Sequence, residues 1–130
     1  FAFSGCLLYN IDINNTKLEY IGDAAYYKTP AFKRDVVIPE KVTSIGWSTF
    51  RESGITSVDL KNVKLVGDQS FQDCPNLASV EFGKAERILY RAFYNDAKIT
   101  EVSFTDSVYD INTSAFENCS IAKLNLNKLK

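Results

Sequence analysis

The chain has 130 residues, fifteen basic and sixteen acidic side chains, a net charge of −1 and no histidine. That balance leaves no basic footprint for nucleic acid and no polycationic face for anionic lipid. It also removes the commonest metal ligand and general base, and no apolar run approaches the length of a membrane span. An apolar share of 45% and this length suit a single globular domain spanning residues 1–130. The opening stretch FAFSGCLLYN has no charged segment ahead of its apolar residues, so it does not read as an intact signal peptide. Three cysteines, an odd number, cannot all pair within one chain.

In chain order, one short unit recurs. It starts with FSGC at Phe3, followed by Ile11 and Ile13 flanking Asp12. Leu18, Ile21 and Gly22 then lead to YYKT at Tyr26, with Thr29 in the place of Cys6, and to Val36 and Ile38 flanking Val37. The third copy runs Val42, Ile45, Gly46, then FRES at Phe50, then Val58 and Leu60 flanking Asp59. The fourth runs Val63, Val66, Gly67, then FQDC at Phe71, then Val80 and Phe82 flanking Glu81. Ala85 and Ile88 precede FYND at Phe93, with Val102 and Phe104 flanking Ser103; Val108 and Ile111 precede FENC at Phe116, with Leu124 and Leu126 flanking Asn125. The anchors Phe3, Tyr26, Phe50, Phe71, Phe93 and Phe116 lie 21 to 24 residues apart, inside the range of leucine-rich repeats.

The period-two pattern after each anchor predicts a short strand with one face buried and one face out. Gly22, Gly46 and Gly67, and Asp73, Asn95 and Asn118, supply turn chemistry between the pieces. The stretch between glycine and anchor, as in GDQSF, is long enough for one helical turn. No copy buries its apolar stripe alone, so the copies stack. The expected fold is an α/β repeat solenoid: a right-handed coil of about six repeats with one parallel sheet and short helical turns or loops on the other side. Six strands at about 4.8 Å give a sheet about 24 Å wide. Phe50, Phe71, Phe93 and Phe116 are expected to stack as a buried ladder.

The stretch VVIPEKVTSIGWSTFRESGITSVDL, residues 36 to 60, resembles the BspA-like leucine-rich repeats in Ile38-Pro39, Val42-Thr43, Ile45-Gly46 and Phe50, in that order. Later copies depart from the pattern: Leu89 and Asn112 replace the glycine, and only Pro39 keeps the proline after the strand. The resemblance implies a secreted or surface-anchored protein of host-associated microbes, extracellular or on the cell surface. It also implies adhesion to a protein partner, in the host matrix or on a microbial surface, without a shared enzyme activity. A repeat that merely spaces another domain from a surface is the alternative, and a carbohydrate-active enzyme is a remoter one.

Three sets of residues are candidates for function. Cys6, Cys74 and Cys119 occupy one repeat slot. Cys74 and Cys119 stand two rungs apart, about 9–10 Å, beyond the ~7 Å Cα span of a disulfide. They are therefore expected to be free, protected packing residues, with no metal site and no cofactor. FSGC also resembles a lipobox, but Cys6 is in register with the other copies.

The second set is the outward face of the strands: Asp12, Val37, Asp59, Glu81, Ser103 and Asn125, with Glu101 beside them. Asp59 and Glu81 on adjacent strands would stand about 5 Å apart, near the separation of a retaining glycosidase pair. An exposed sheet, however, has no pocket to raise one pKa. The expected role is a binding face for a basic partner or a divalent cation, with a merely solvated acidic face as the alternative. The third set is aromatic. Trp47 and Tyr90 share a slot with Asp23, Asp68 and Thr113, and Tyr27 and Tyr94 share one with Arg51, Gln72 and Glu117. Slots that accept polar residues are read as exposed, and their rings either serve an interface or lie flat on neighbouring aliphatic surface.

Overall fold

In the computed structural model, residues 1–9, 12–14 and 17–126 are described. Nine short strands appear among them: β1 Asp35–Val37, β2 Ser44–Ile45, β3 Ser57–Asp59, β4 Leu65–Val66, β5 Ser79–Glu81, β6 Arg87–Ile88, β7 Glu101–Ser103, β8 Asp110–Ile111 and β9 Lys123–Asn125. All pairings are parallel, and all join one turn of the coil to the next. Four turns carry two strands each, and β9 opens a fifth.

The second set of strands is a correction to the expected single sheet. The aliphatics ahead of each anchor form their own ladder, Ile45, Val66, Ile88 and Ile111 in register along β2-β4-β6-β8. The sequence shows only two residues of alternation there, too few to mark a strand. The long strands supply the other ladder, with Val36, Val58 and Val80 in register and Val102 opposite Leu124. This front sheet is not continuous: β1-β3-β5 and β7-β9 are separate. Thr56 N–H bonds Arg34 C=O at 2.9 Å, Ala78 N–H bonds Thr56 C=O at 3.0 Å and Ala122 N–H bonds Thr100 C=O at 2.8 Å, but Thr100 N–H has no such bond to Ala78. Beneath the gap lie the rings of Phe82 and Phe104, 5.0 Å apart and tilted by 56°. They fill the inward place of Ile38 and Leu60, and their bulk holds β5 and β7 apart on this side only. The first copy also departs from expectation. No strand forms at Asp12–Asn14, and Ile11 lies outside the described residues.

The returns contain no helix among the described residues. The reason is local. Ala24, Ser48, Gln69, Arg91 and Ser114, two residues before each anchor, have φ between 50° and 59°. Lys28, Glu52, Asp73, Asn95 and Asn118, two residues after, have φ between 54° and 63°. A right-handed helix cannot run through left-handed residues. Their N–H groups instead point along the solenoid: Gln69 to Tyr90 C=O and Asp73 to Tyr94 C=O, each at 2.9 Å. The anchor N–H crosses in the same way, Phe71 to Ala92 C=O at 2.8 Å, and the alternate N–H groups close tight turns within the copy, as from Ser70 to Gly67 C=O and Gln72 to Gln69 C=O, both 3.2 Å. Gly67 is required by this stacking, because a Cβ there would run into the Ile45 carbonyl.

At the centre of each turn the anchor ring stacks on its neighbours. Tyr26 to Phe50, Phe50 to Phe71, Phe71 to Phe93 and Phe93 to Phe116 have centroids 5.1–5.4 Å apart and planes within 7°. Phe50, Phe71 and Phe93 are fully buried. Phe116, expected to be buried with them, is only half-buried, and Phe3 is exposed, because each lies at an end of the stack. Replacing Phe71 with Ala should cost about 3–5 kcal/mol, the range for a buried aromatic. A urea titration that shows a loss under about 1 kcal/mol would dismiss the stack as a source of stability.

Candidate functional site

The front sheet places the outward column as expected over most of its length. Val37, Asp59 and Glu81 are in register across β1, β3 and β5, and Ser103 faces Asn125 across β7 and β9. Asp59 and Glu81 are thus nearest neighbours of like charge. Asp59 turns away from Glu81: its Oδ1 accepts from Lys61 N at 3.0 Å and its Oδ2 lies 3.3 Å from Lys61 Nζ. Asp12, ahead of the first strand, does the same within its own turn, accepting from Asn14 N at 3.0 Å. Glu101 pairs with Lys123 across strands at 3.2 Å, an exposed contact of little energetic weight. Among the described residues Glu81 makes no side-chain hydrogen bond or ion pair. Asp35, at the upstream edge of the same face, accepts from Ser57 Oγ and Thr56 Oγ1, each at 2.8 Å. Those hydrogen bonds hold its carboxyl below the usual carboxylate range.

The gap between β5 and β7 opens this face into a groove of about 420 Å³, lined by Ser79, Val80, Glu81, Thr100, Glu101 and Ser103. The groove brings three of the column residues together, Glu81, Glu101 and Ser103. Asp12, Asp59 and Asn125 lie outside it. A glycosidase acid needs a carboxyl whose pKa burial has raised. Glu81 and Glu101 are both exposed. No signal in the sequence marked the groove, which arises from two rings beneath the sheet.

The aromatic set is divided. Trp47 and Tyr90 are exposed, at 45% and 39%, as read from their slot. Asp23 Oδ1 accepts from Trp47 N at 3.0 Å and Asp68 Oδ1 from Tyr90 N at 3.1 Å, so the aspartates sharing that slot brace the turns carrying the rings. Trp47 Nε1 donates to Gln69 Oε1 at 3.1 Å, and Phe1 meets its ring edge-on at 6.2 Å. Tyr27 and Tyr94 are half-buried, contrary to the reading of their slot as exposed. Cations cover them: Lys28 and Arg51 lie over Tyr27, and the Arg91 guanidinium stands 4.6 Å from Tyr94 and 5.0 Å from Tyr90. These rings are largely spent on intramolecular contacts.

The inner slot behaves as a hydrogen-bonding ladder. All three cysteines are free. Cys74 Sγ donates to Phe50 C=O and Cys119 Sγ to Phe93 C=O, each at 3.1 Å, and Thr29 Oγ1 reaches Tyr26 C=O at 2.7 Å. Cys74 is buried and Cys119 half-buried, and burial raises both thiols, Cys119 to about 11. Cys6, expected to be protected, is exposed at the end of the stack. Asp96 takes the same slot with no exposed surface. Its Oδ1 accepts from Cys74 N at 2.8 Å, while its Oδ2 is buried without a partner. Burial, with Asp73 adding to it, pushes this carboxyl up to about 9. Among the described residues no group of three or more Cys, Asp or Glu side chains is placed to hold a metal ion. No helix among them is long and apolar enough to cross a membrane.

Parallel coils, short turns and a repeating aromatic anchor define a leucine-rich-repeat solenoid. The chain belongs to the family described as the BspA type leucine rich repeat region, which matches residues 1–128 in six copies. Among solved structures it is similar to a leucine-rich repeat protein from Eubacterium ventriosum, with 25% identity, a TM-score of 0.57 and 78% of this chain covered. The match spans about a third of that protein, 34%. No curated protein matches the chain. Repeats of this kind serve protein binding or structural spacing and are typically non-enzymatic.

Asp96 makes stability depend on pH. Unfolded, it ionises near the ordinary carboxylate pKa of about 4, whereas folded it holds its proton to about 9. Its contribution is therefore full below about pH 4 and is lost as pH rises toward 9, because the folded chain binds the extra proton. Asp96→Ser, which matches Ser53 in the same slot, should raise stability more at pH 8 than at pH 4, because at pH 8 the folded chain must take up a proton that the unfolded chain has released. Urea midpoints at both pH values measure this, and equal midpoints for both proteins at pH 8 would show that Asp96 is not strained.

Proposed function

We propose that this solenoid is a non-enzymatic adhesion module that binds a protein partner through the outward face of its front sheet. The partner is a basic segment of a host-matrix or microbial-surface protein, and the module works outside the cell or on its surface. The single observation that carries this reading is the Glu81–Glu101 groove. It is an open, polar recess flanked by Asp59, on a face whose inward side chains do all the packing. Family membership supports it, since members are often surface-associated. Asp12, Ser103 and Asn125 extend the same face, with hydrogen-bonding capacity beyond the carboxylates.

Reversing Asp59 and Glu81 to Lys should weaken binding to a basic matrix fragment at least tenfold and lower the urea midpoint only slightly, since Asp59→Lys gives up the exposed contacts with Lys61. Between the two positions themselves it exchanges one like-charge pair for another. Added salt should weaken the wild-type complex, since exposed charges are screened beyond about 8–10 Å near physiological ionic strength. Surface plasmon resonance at two salt concentrations reads both effects. If Trp47→Ala and Tyr90→Ala abolish binding while the reversals do nothing, the turn side is the binding face and this assignment fails.

A further inference from the structure

One column of the turn side runs unbroken along the solenoid. It holds the residue three positions before an anchor: Asp23, Trp47, Asp68, Tyr90 and Thr113, all exposed. The main chain ties each rung of it to the next. Ala24 N–H bonds Trp47 C=O at 2.8 Å, Ser48 bonds Asp68 at 3.0 Å, Gln69 bonds Tyr90 at 2.9 Å and Arg91 bonds Thr113 at 3.3 Å. The column therefore advances with the anchor stack, whose rings from Tyr26 to Phe93 lie 5.1–5.4 Å apart. Trp47 and Tyr90 stand two rungs apart on it, with the Asp68 carboxylate on the rung between.

These two rings keep 45% and 39% of their surface in solvent, unlike the covered Tyr27 and Tyr94. Trp47 is held by its Nε1 bond to Gln69 Oε1 and met edge-on by Phe1, and Tyr90 lies against the Arg91 guanidinium. Asp68 spends one oxygen on Tyr90 N, and among the described residues its Oδ2 has no partner. The surface thus alternates ring, carboxylate, ring, one to each rung.

That alternation fits a carbohydrate. The C–H face of a β-linked pyranose packs on an aromatic ring, whose π face carries negative charge. Its equatorial hydroxyls donate to carboxylate oxygens. An extended β-1,4-linked glycan advances by about the rung spacing of parallel strands per sugar. Every second sugar then meets a ring, and the one between lies over Asp68. Asp23 and Asp68 in the same column disfavour a polyanionic chain. We propose that the Trp47–Asp68–Tyr90 column binds an extended, neutral β-1,4-linked glycan lying along the solenoid axis, with alternate sugars stacked on Trp47 and Tyr90. The site is on the turn side and independent of the groove in the front sheet.

Trp47 is the chain's single tryptophan, so its fluorescence reports on the site directly. The probes are soluble hexasaccharides of β-1,4-linked glucose and of β-1,4-linked N-acetylglucosamine, with the coiled α-1,4-linked glucose hexamer as control. At least one β-linked hexamer should shift the Trp47 emission and bind in calorimetry, and the α-linked hexamer should do neither. The β-linked disaccharide reaches only one ring and should bind at least tenfold more weakly than its hexamer. Trp47→Ala and Tyr90→Ala, read by calorimetry, should each lose at least tenfold in affinity, while Tyr90→Phe, which keeps the ring, should bind as wild type does. Both positions are exposed, so circular-dichroism melts should show the variants folded. The proposal is overturned if neither β-linked hexamer binds, if the disaccharide binds as well as the hexamer, or if Tyr90→Ala leaves the affinity unchanged. Capture of a basic matrix fragment that Trp47→Ala abolishes, with no hexamer bound, assigns the column to a protein instead and overturns it too.

Discussion

The structure depends on the stacking of one turn on the next through its aromatic anchor and the backbone on either side. Left-handed residues two positions before and after each anchor alternate the direction of successive N–H groups. One N–H closes its own turn and the next reaches across to the following copy. The anchor ring sits between these bonds, so the packing of Phe50, Phe71 and Phe93 and the hydrogen bonding of the turns enforce the same spacing. A flat ring stacked at 5.1–5.4 Å matches the roughly 4.8 Å rise between parallel strands closely enough for both columns to run together.

This coupling divides the chain into positions that are constrained and positions that are not. Inward slots must be apolar and nearly constant in size, since each is roofed by the same slot of the next copy. The inner ladder tolerates Thr29, Ser53, Cys74 and Asp96 because every one of them makes a hydrogen bond there. Asp96 is the costly member, with one oxygen unanswered. Where an inward slot changes size, the front sheet responds: Phe82 and Phe104 split it and create the groove between Glu81 and Glu101. Binding capacity on the outer face thus arises from a packing irregularity below it.

The same physics explains why the charged side chains of the outer face differ in availability. Asp59 and Asp12 are engaged by main-chain N–H groups two residues on, a local arrangement that any aspartate before a turn can adopt. Glu81, one methylene longer and mid-face, has no such partner within reach. The aromatic residues on the turn side show the opposite outcome, with Tyr27 and Tyr94 covered by cations from their own or the adjacent copy.

Much of this was determined by the sequence itself. Anchor spacing, the alternation at Val58 and Val80, and the turn residues Asp73, Asn95 and Asn118 were enough to place the solenoid, its register and the outward column. A repeat states its own contacts, since each residue's neighbour is the same slot one period away. Other features were decided only by the tertiary structure. The returns are left-handed turns rather than helical ones, because inter-turn hydrogen bonds at Gln69 and Asp73 outweigh any local helical preference. The second sheet through Ile45 and Val66 exists because stacking supplies partners that a two-residue strand cannot supply alone. The groove and the cost at Asp96 depend on what lies above or below a rung, and that is a property of the stack rather than of any one copy.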